Sequence, residues 1–314
     1  MVEDHTLVPF EGAGFVGERA PGMQAGALTQ VLQYLESLPF GDNAFSLKRR
    51  RYQEIGRVRE IGLDVAVKRW RAPLRLPVRD PARRAGRCSL WLMQAGVPTP
   101  ELLAVLAARA PSRSVAGWLT VHRWLPEHRP MNLLLAGHRP YHVRLRPALG
   151  GLAHLAARLH LGGLGHRDLR LENVLAREGF TDLHLVDVDE VQEHASRSMR
   201  GAAFDLGNLI FHLRRTDIPD HTSRRLLVLY GRERELARDQ LRGLACRAFW
   251  RATYRRRWRQ VRRCVSWIPG LRAPKSAANT PEKVARVYGV DEPAGSNGVN
   301  RTGSPGPGAA RPPS

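Results

Sequence analysis

The sequence predicts an α+β chain of two lobes, a small β-rich lobe followed by a mainly helical one, because its periodicities change in that order. β-type segments fill residues 46–71 and return at 102–106 and 117–124, whereas helical spacing dominates from 204 to about 265. From Pro274 the composition shifts to Pro, Gly, Ser, Asn and Ala, which predicts a disordered tail. The 314 residues, 43% of them hydrophobic, can bury a sizeable core. The expected organisation is a loosely ordered lead-in over 1–45, a β-rich lobe over 46–126, a helical lobe over 127–270 and the tail over 271–314.

Within the lead-in only residues 27–38 have a helical pattern. The segment VAVKRW ends the first β-type region, with Val65 and Val67 on one face and Ala66 and Lys68 on the other. A helix is predicted over residues 81–94, with Asp80 as N-cap and Pro81 at its first position. The following AGVPTPEL is a turn that no helix can continue through. Over 149–161, Leu152, Leu155 and Leu159 share one helical face. Two short apolar segments, 173–175 and 183–186, each adjoin polar residues.

Lys plus Arg number 50 against 29 Asp plus Glu, a net charge of +21 that attracts anionic partners. Arg far outnumbers Lys, a bias that a GC-rich genome would also produce. Cys88, Cys246 and Cys264 are odd in number and have no CxxC spacing, so neither a disulfide framework nor a zinc site is indicated. The N-terminus lacks the charged and apolar regions of a signal peptide, and no run of about 18 apolar residues follows. The expected location is cytoplasmic, with peripheral attachment at the inner face of the membrane as its extension.

The chemistry concentrates at HRDLRLENVL, from His166 to Leu175, followed by LHLVDVDEV with Asp187 fourteen residues beyond Asn173. Phosphoryl transfer requires a carboxylate beside the acceptor hydroxyl and oxygen ligands that hold Mg²⁺ on the phosphates. Asp168, Asn173 and Asp187 have that chemistry. The competing structural reading makes His166 and Asp168 caps of a turn and Lys68 a surface lysine. The combined pattern resembles the protein-kinase catalytic loop and its metal-binding aspartate, with VAVK about a hundred residues upstream in the order kinases use.

The helix running into AGVPTP, the stretch ALGGLAHLAARLHLGGLGHRDL, and VDVD where protein kinases have DFG are most similar to the lipopolysaccharide kinase (Kdo/WaaP) family, over about residues 45–265. That resemblance implies a protein-kinase-like fold and ATP-dependent phosphorylation of a Kdo or heptose hydroxyl. It implies that Asp168 orients or deprotonates the acceptor, Asn173 and Asp187 hold Mg²⁺, and Lys68 steadies the phosphates of ATP. His166 and Asp205 would be structural support, Asp205 by accepting backbone hydrogen bonds from the catalytic loop; read locally, Asp205 is an ordinary helix N-cap. Seventeen residues separate Asp187 from Asp205, with no APE, which suits a compact acceptor better than a docked peptide.

Two departures keep a second reading open, a catalytically weak homologue acting as a membrane-associated binding module. No GxGxxG precedes VAVK, and the helix DPARRAGRCSLWLMQ lacks a glutamate to hold Lys68. A compact Ser/Thr protein kinase is a third reading, at odds with the short segment after Asp187. Residues 246–265 form a basic amphipathic pattern, with Trp250, Tyr254 and Trp258 on one face and Arg251, Arg255 and Arg259 beside it. The aromatics are expected to pack on the helical lobe, and the arginines either to meet an anionic lipid surface or to be merely solvated. No zinc-finger, RNP1 or KH signature indicates specific nucleic-acid binding.

Overall fold

Alternating residues on successive antiparallel strands place apolar side chains on both faces of one seven-stranded sheet, and a helix covers each face. The computed structural model describes residues 7–38, 45–50, 52–59, 62–71, 80–109, 116–136, 145–193, 199–215 and 220–265, the side chains of 46, 49, 50, 116, 220 and 256–265 excepted. The chain divides into two units, Met1–Asn279 and Thr280–Ser314. The second, and with it the expected tail, lies outside the described residues.

The first part runs β1 (Val8–Gly12), β2 (Phe15–Arg19), α1 (Ala25–Ser37), β3 (Ser46–Arg50), β4 (Gln53–Val58), β5 (Val65–Arg71), α2 (Pro81–Gln94), β6 (Leu102–Ala108) and β7 (Ala116–Arg123). The sheet order is β1-β2-β6-β7-β5-β4-β3. The expectation of a loose lead-in is therefore corrected, since residues 8–37 supply two strands and a helix. Their signal is local and weak. Ala13 (φ 47°) and Gly14 (φ 71°) make a two-residue hairpin turn. Gly17 lets β2 lie against β6, because a Cβ there would overlap the Val105 carbonyl.

On β5, Val65, Val67 and Arg69 point toward α1, where Leu28, Val31 and Leu32 complete an apolar core with Phe10, Phe15 and Val121. Arg69 is buried, pairs with buried Glu54 at 3.0 Å, and donates to the Leu38 carbonyl just past α1 at 3.0 Å. A cation at a helix C-terminus is favourable, and it ties α1 to the sheet. Lys68 and Trp70 point to the other face, where α2 packs Ala82 and Ala85 on Trp70, Leu102 and Val105. Asp80 caps α2 by accepting from the Arg83 N–H at 2.9 Å. Gly96 (φ 64°) closes it, with Val97 N–H bonded to the Leu92 carbonyl.

The second part contains β8 (Arg129–Pro130), α3 (Met131–Ala136), α4 (Leu145–Leu161), β9 (Leu164–Gly165), β10 (Val174–Ala176), β11 (His184–Leu185), β12 (Gln192–Glu193), α5 (Met199–Leu213), α6 (Asp220–Glu233) and α7 (Arg238–Val265). β11-β10-β8 and β12-β9 form small antiparallel sheets. Leu152, Leu155 and Leu159 of α4 enter one core with Leu206, Leu209, Leu226 and Leu244. The turn after α2 joins this part directly: the Pro98 carbonyl accepts from Leu185 N–H at 2.8 Å, and Thr99 Oγ1 donates to the Leu185 carbonyl at 2.9 Å.

α5 and α7 approach closely at Gly207, where a Cβ would crowd the Ala248 carbonyl and the Arg251 side chain. The buried stripe of α7 is Leu244, Ala248 and Ala252, four residues apart. Arg251 lies over the Phe204 ring at 4.0 Å. The expectation that the aromatics pack on this lobe is corrected. Trp250 is 67% and Tyr254 46% exposed, and the two rings stack on each other at 5.4 Å. Small residues win the interface because only they permit the close helix approach. Trp258 has its side chain outside the described residues.

Candidate active site

The HRDLRLEN loop and the VDVD segment each contain backbone that needs outside support. Arg167 has φ 56° and Asp187 φ 60°, both left-handed and both costly for residues with a Cβ. Support for the loop comes from α5. Asp205 lies within α5, not at its N-cap, and its Oδ2 accepts the His166 backbone N–H at 2.8 Å. Three residues on, Asn208 Nδ2 donates to the Arg167 carbonyl at 2.8 Å. His166 Nε2 stands 3.3 Å from the Val186 carbonyl, linking the loop to the segment before Asp187. β9 pairs Gly165 with Gln192 of β12, which brings the two stretches side by side.

Asn173 ends a short 3₁₀ turn (Leu171–Asn173). Its Nδ2 donates to the Asp168 carbonyl at 3.0 Å, and its backbone carbonyl accepts from Val186 N–H at 2.9 Å. Asn173 Oδ1 is buried and has no protein partner. A buried acceptor lacking a donor is costly, and an amide oxygen in that position suits a hard cation. Asp168 is flanked by cations: Arg170 lies 3.0 Å from Oδ2 and Arg255 of α7 lies 3.9 Å from Oδ1. At the middle of that 3₁₀ turn, Glu172 meets His212 at 3.2 Å; burial opposes ionisation there, but His212 and Arg170 bring its carboxyl down to about 2.

Lys68 Nζ bridges Asp187 Oδ1 at 2.7 Å and Asp189 Oδ1 at 2.6 Å. Lys48 of β3 reaches Asp187 Oδ2 at 3.2 Å. Burial alone would raise the Asp187 carboxyl, yet the ammonium groups of Lys68 and Lys48 hold it well below the usual carboxylate range. His122 pairs with Ala66 across β5 and β7 and so shares the face of Lys68. Burial and then the Lys68 charge push its imidazole down to about 4, against a bond to the Pro100 carbonyl, so it is neutral at physiological pH.

Thus Lys68, Asp187 and Asp189 meet, Asn173 joins Asp168 in the adjoining loop, and His166 joins Asp205 beneath it. Sequence reasoning missed Lys48, Asn208, Arg170 and the pairing of Asp189 with Lys68. Lys48 had a compositional signal: only four of the 50 basic residues are lysines, and two of the four converge on Asp187. Asn208 had a positional one, three residues after Asp205 and therefore on the same helical face.

A β-rich part carrying a buried lysine, and a helical part carrying the loop and the paired aspartate, define a protein-kinase-like fold. A solved structure described as WaaP in complex with acyl carrier protein is similar with a TM-score of 0.52 and 22% sequence identity, over 71% of this chain and 91% of that one. Residues 89–230 match the family model of the lipopolysaccharide kinase (Kdo/WaaP) family, a family of phosphotransferases. The matched segment starts within α2 and ends within α6, so it contains His166, Asp168, Asn173, Asp187 and Asp205. Lys68 lies before it. No curated protein matches the sequence.

Proposed function

We propose that this protein is an ATP- and Mg²⁺-dependent kinase that phosphorylates a sugar hydroxyl of the lipopolysaccharide inner core, Kdo or heptose, or of a similar glycolipid. The observation that carries this reading is the convergence of Lys68 on Asp187 and Asp189, beside a loop where Asn173 Oδ1 is buried without a partner. Asn173 and Asp187 are the residues that would hold Mg²⁺, whose charge would neutralise the phosphates. Lys68 binds phosphate oxygens, Asp168 orients or deprotonates the acceptor hydroxyl, and Asp205 with His166 keeps the loop in register.

Asp189 bears on the weak-homologue reading. It supplies a second carboxylate to Lys68 at 2.6 Å, so the missing α2 glutamate need not leave that lysine unplaced. Arg170 and Arg255 beside Asp168 favour an acceptor that itself carries negative charge, since an incoming carboxylate or phosphate can draw the guanidiniums off Asp168. In this reading residues 46–126, with β1, β2 and α1 added, form a β-rich lobe and residues 127–270 a helical lobe, and ATP would lie where Lys68 meets Asp187.

The test is transfer of labelled γ-phosphate by purified protein to a dephosphorylated lipopolysaccharide core with Mg²⁺. Label on the sugar is expected. Nucleotide binding without transfer to sugar or protein would favour the weak homologue, and no nucleotide binding would overturn both.

A second proposal concerns location: α7 meets the anionic inner face of the cytoplasmic membrane. Trp250 and Tyr254 are exposed together on a helix rich in arginine, the arrangement that seats aromatics at headgroup level. No helix among the described residues is long and apolar enough to cross a membrane, so such attachment would be peripheral. Replacing both aromatics with serine is expected to reduce sedimentation with anionic vesicles severalfold; unchanged sedimentation would remove the proposal.

A further inference from the structure

We propose that His128, Asp182 and His184 bind one zinc ion, which staples the segment leading into β8 to the turn between β10 and β11. The three side chains come from stretches more than fifty residues apart, and they take no part in the phosphotransfer chemistry described above. One ligand atom from each lies within 4.8 Å of the others. His128 Nε2 is 3.2 Å from Asp182 Oδ2, and His184 Nε2 is 3.0 Å from Asp182 Oδ1. Ligands about 2.0–2.2 Å from a tetrahedral zinc stand about 3.4 Å from one another, so only small side-chain shifts separate this cluster from a coordination sphere.

The hydrogen-bond partners of His128 point the same way. Its Nδ1 faces the Pro126 carbonyl at 2.8 Å, and because a carbonyl only accepts, Nδ1 carries the hydrogen. In the neutral ring Nε2 is then bare, yet it faces two more acceptors, the Asp182 carbonyl at 3.1 Å and Asp182 Oδ2. A metal ion between that lone pair and the oxygens would satisfy them all, as would a hydrogen on Nε2. Metal-bound histidines commonly donate their other ring N–H to a backbone carbonyl, the arrangement that Pro126 provides.

The backbone is bent to make this possible. Gly179 (φ 86°), Phe180 (φ 61°) and Asp182 (φ 52°) are all left-handed, and Asp182 presents both its carbonyl and its carboxylate to His128. His128 is 4% exposed and Asp182 has a side chain 49% exposed, so the cluster has a buried wall and an open side for a water ligand. Arg177 lies 3.7 Å from Asp182 Oδ2 and 3.9 Å from Glu127 Oε2, so it retains a carboxylate partner when a metal takes Asp182. Two imidazoles with one carboxylate suit zinc; Mg²⁺ and Ca²⁺ prefer all-oxygen sites.

The staple would brace the β10–β11 hairpin, which begins one residue after Asn173 and ends two before Asp187. The experiment is equilibrium dialysis of untagged full-length protein against Zn²⁺ in excess Mg²⁺, with bound metal measured by mass spectrometry. Asp182→Ala and His184→Ala test the site, and Asp187→Asn and Cys246→Ser test the other candidate ligands. One equivalent of zinc is expected in the native protein and both controls, with affinity weakened at least about tenfold in Asp182→Ala and His184→Ala. Melting in excess Zn²⁺ should rise for the native chain and not for Asp182→Ala or His184→Ala, and a cooperative transition in metal-free buffer shows that each variant folds. Equal retention by native and site variants, zinc lost only with Asp187→Asn or Cys246→Ser, or no zinc above buffer would each overturn the proposal, the last leaving a proton as the cation at His128.

Discussion

Asp168→Asn is expected to lower phosphoryl transfer by about 10²–10⁴-fold, the range for loss of a positioned general base, while nucleotide affinity stays close to native. The reason is positional. The Asp168 carboxylate projects from a loop held by Asp205 and Asn208, whereas Lys68 comes from β5 and Asp187 from the segment after β11. The amide keeps the size of the side chain and its acceptor oxygen but cannot take a proton. Separate measurements of kcat and of nucleotide Kd distinguish this from collapse of the loop, which would weaken both. Native-like transfer by the variant would remove Asp168 from the mechanism.

Asp187→Ala is expected to abolish the Mg²⁺ dependence of nucleotide binding and to lower transfer by at least about 10²–10³-fold, the usual cost of deleting one electrostatic stabiliser. It also leaves Lys48 without its partner and Lys68 with Asp189 alone, a loss of about 1–3 kcal/mol in stability. The acid dependence follows from the sign of the shift. The folded-state pKa of Asp187 lies below its unfolded value, so its contribution is fully present above the unfolded value and is lost as pH falls through the folded one. Native and variant stabilities should therefore differ by a constant amount at neutral pH, and the gap should begin to narrow as pH falls below about 4. Denaturant unfolding at pH 7 and pH 3 provides the comparison; an equal gap at both would contradict the pairing.

The most legible parts of this protein are those whose chemistry is local in sequence. HRDLRLEN, VDVD and VAVK carry their meaning within a few residues, and their order and spacing resemble those of a kinase centre. The N-cap of α2 was equally legible, because Asp80 and Pro81 act on backbone within three residues. The first two strands were not, because Gly-containing five-residue strands have little alternation, and their place depends on β2 pairing with β6 some ninety residues later.

Tertiary structure decided which charge meets which. The sequence announced a lysine lacking its helix glutamate; folding places Asp189 beside it, and adds Lys48 from a strand with no motif. Asp205 reads locally as a cap, but the chain brings His166 to it from 39 residues away and makes it the floor of the loop. Trp250 and Tyr254 share a helical pattern that suits a core, yet Ala248 and Ala252 take the interface because Gly207 lets the α5 backbone come too close for rings. Sequence by itself determined the chemistry available and the order of the elements. Only the packed chain determined the partners, since a side chain's charge state and exposure depend on neighbours that the polymer brings together from a distance.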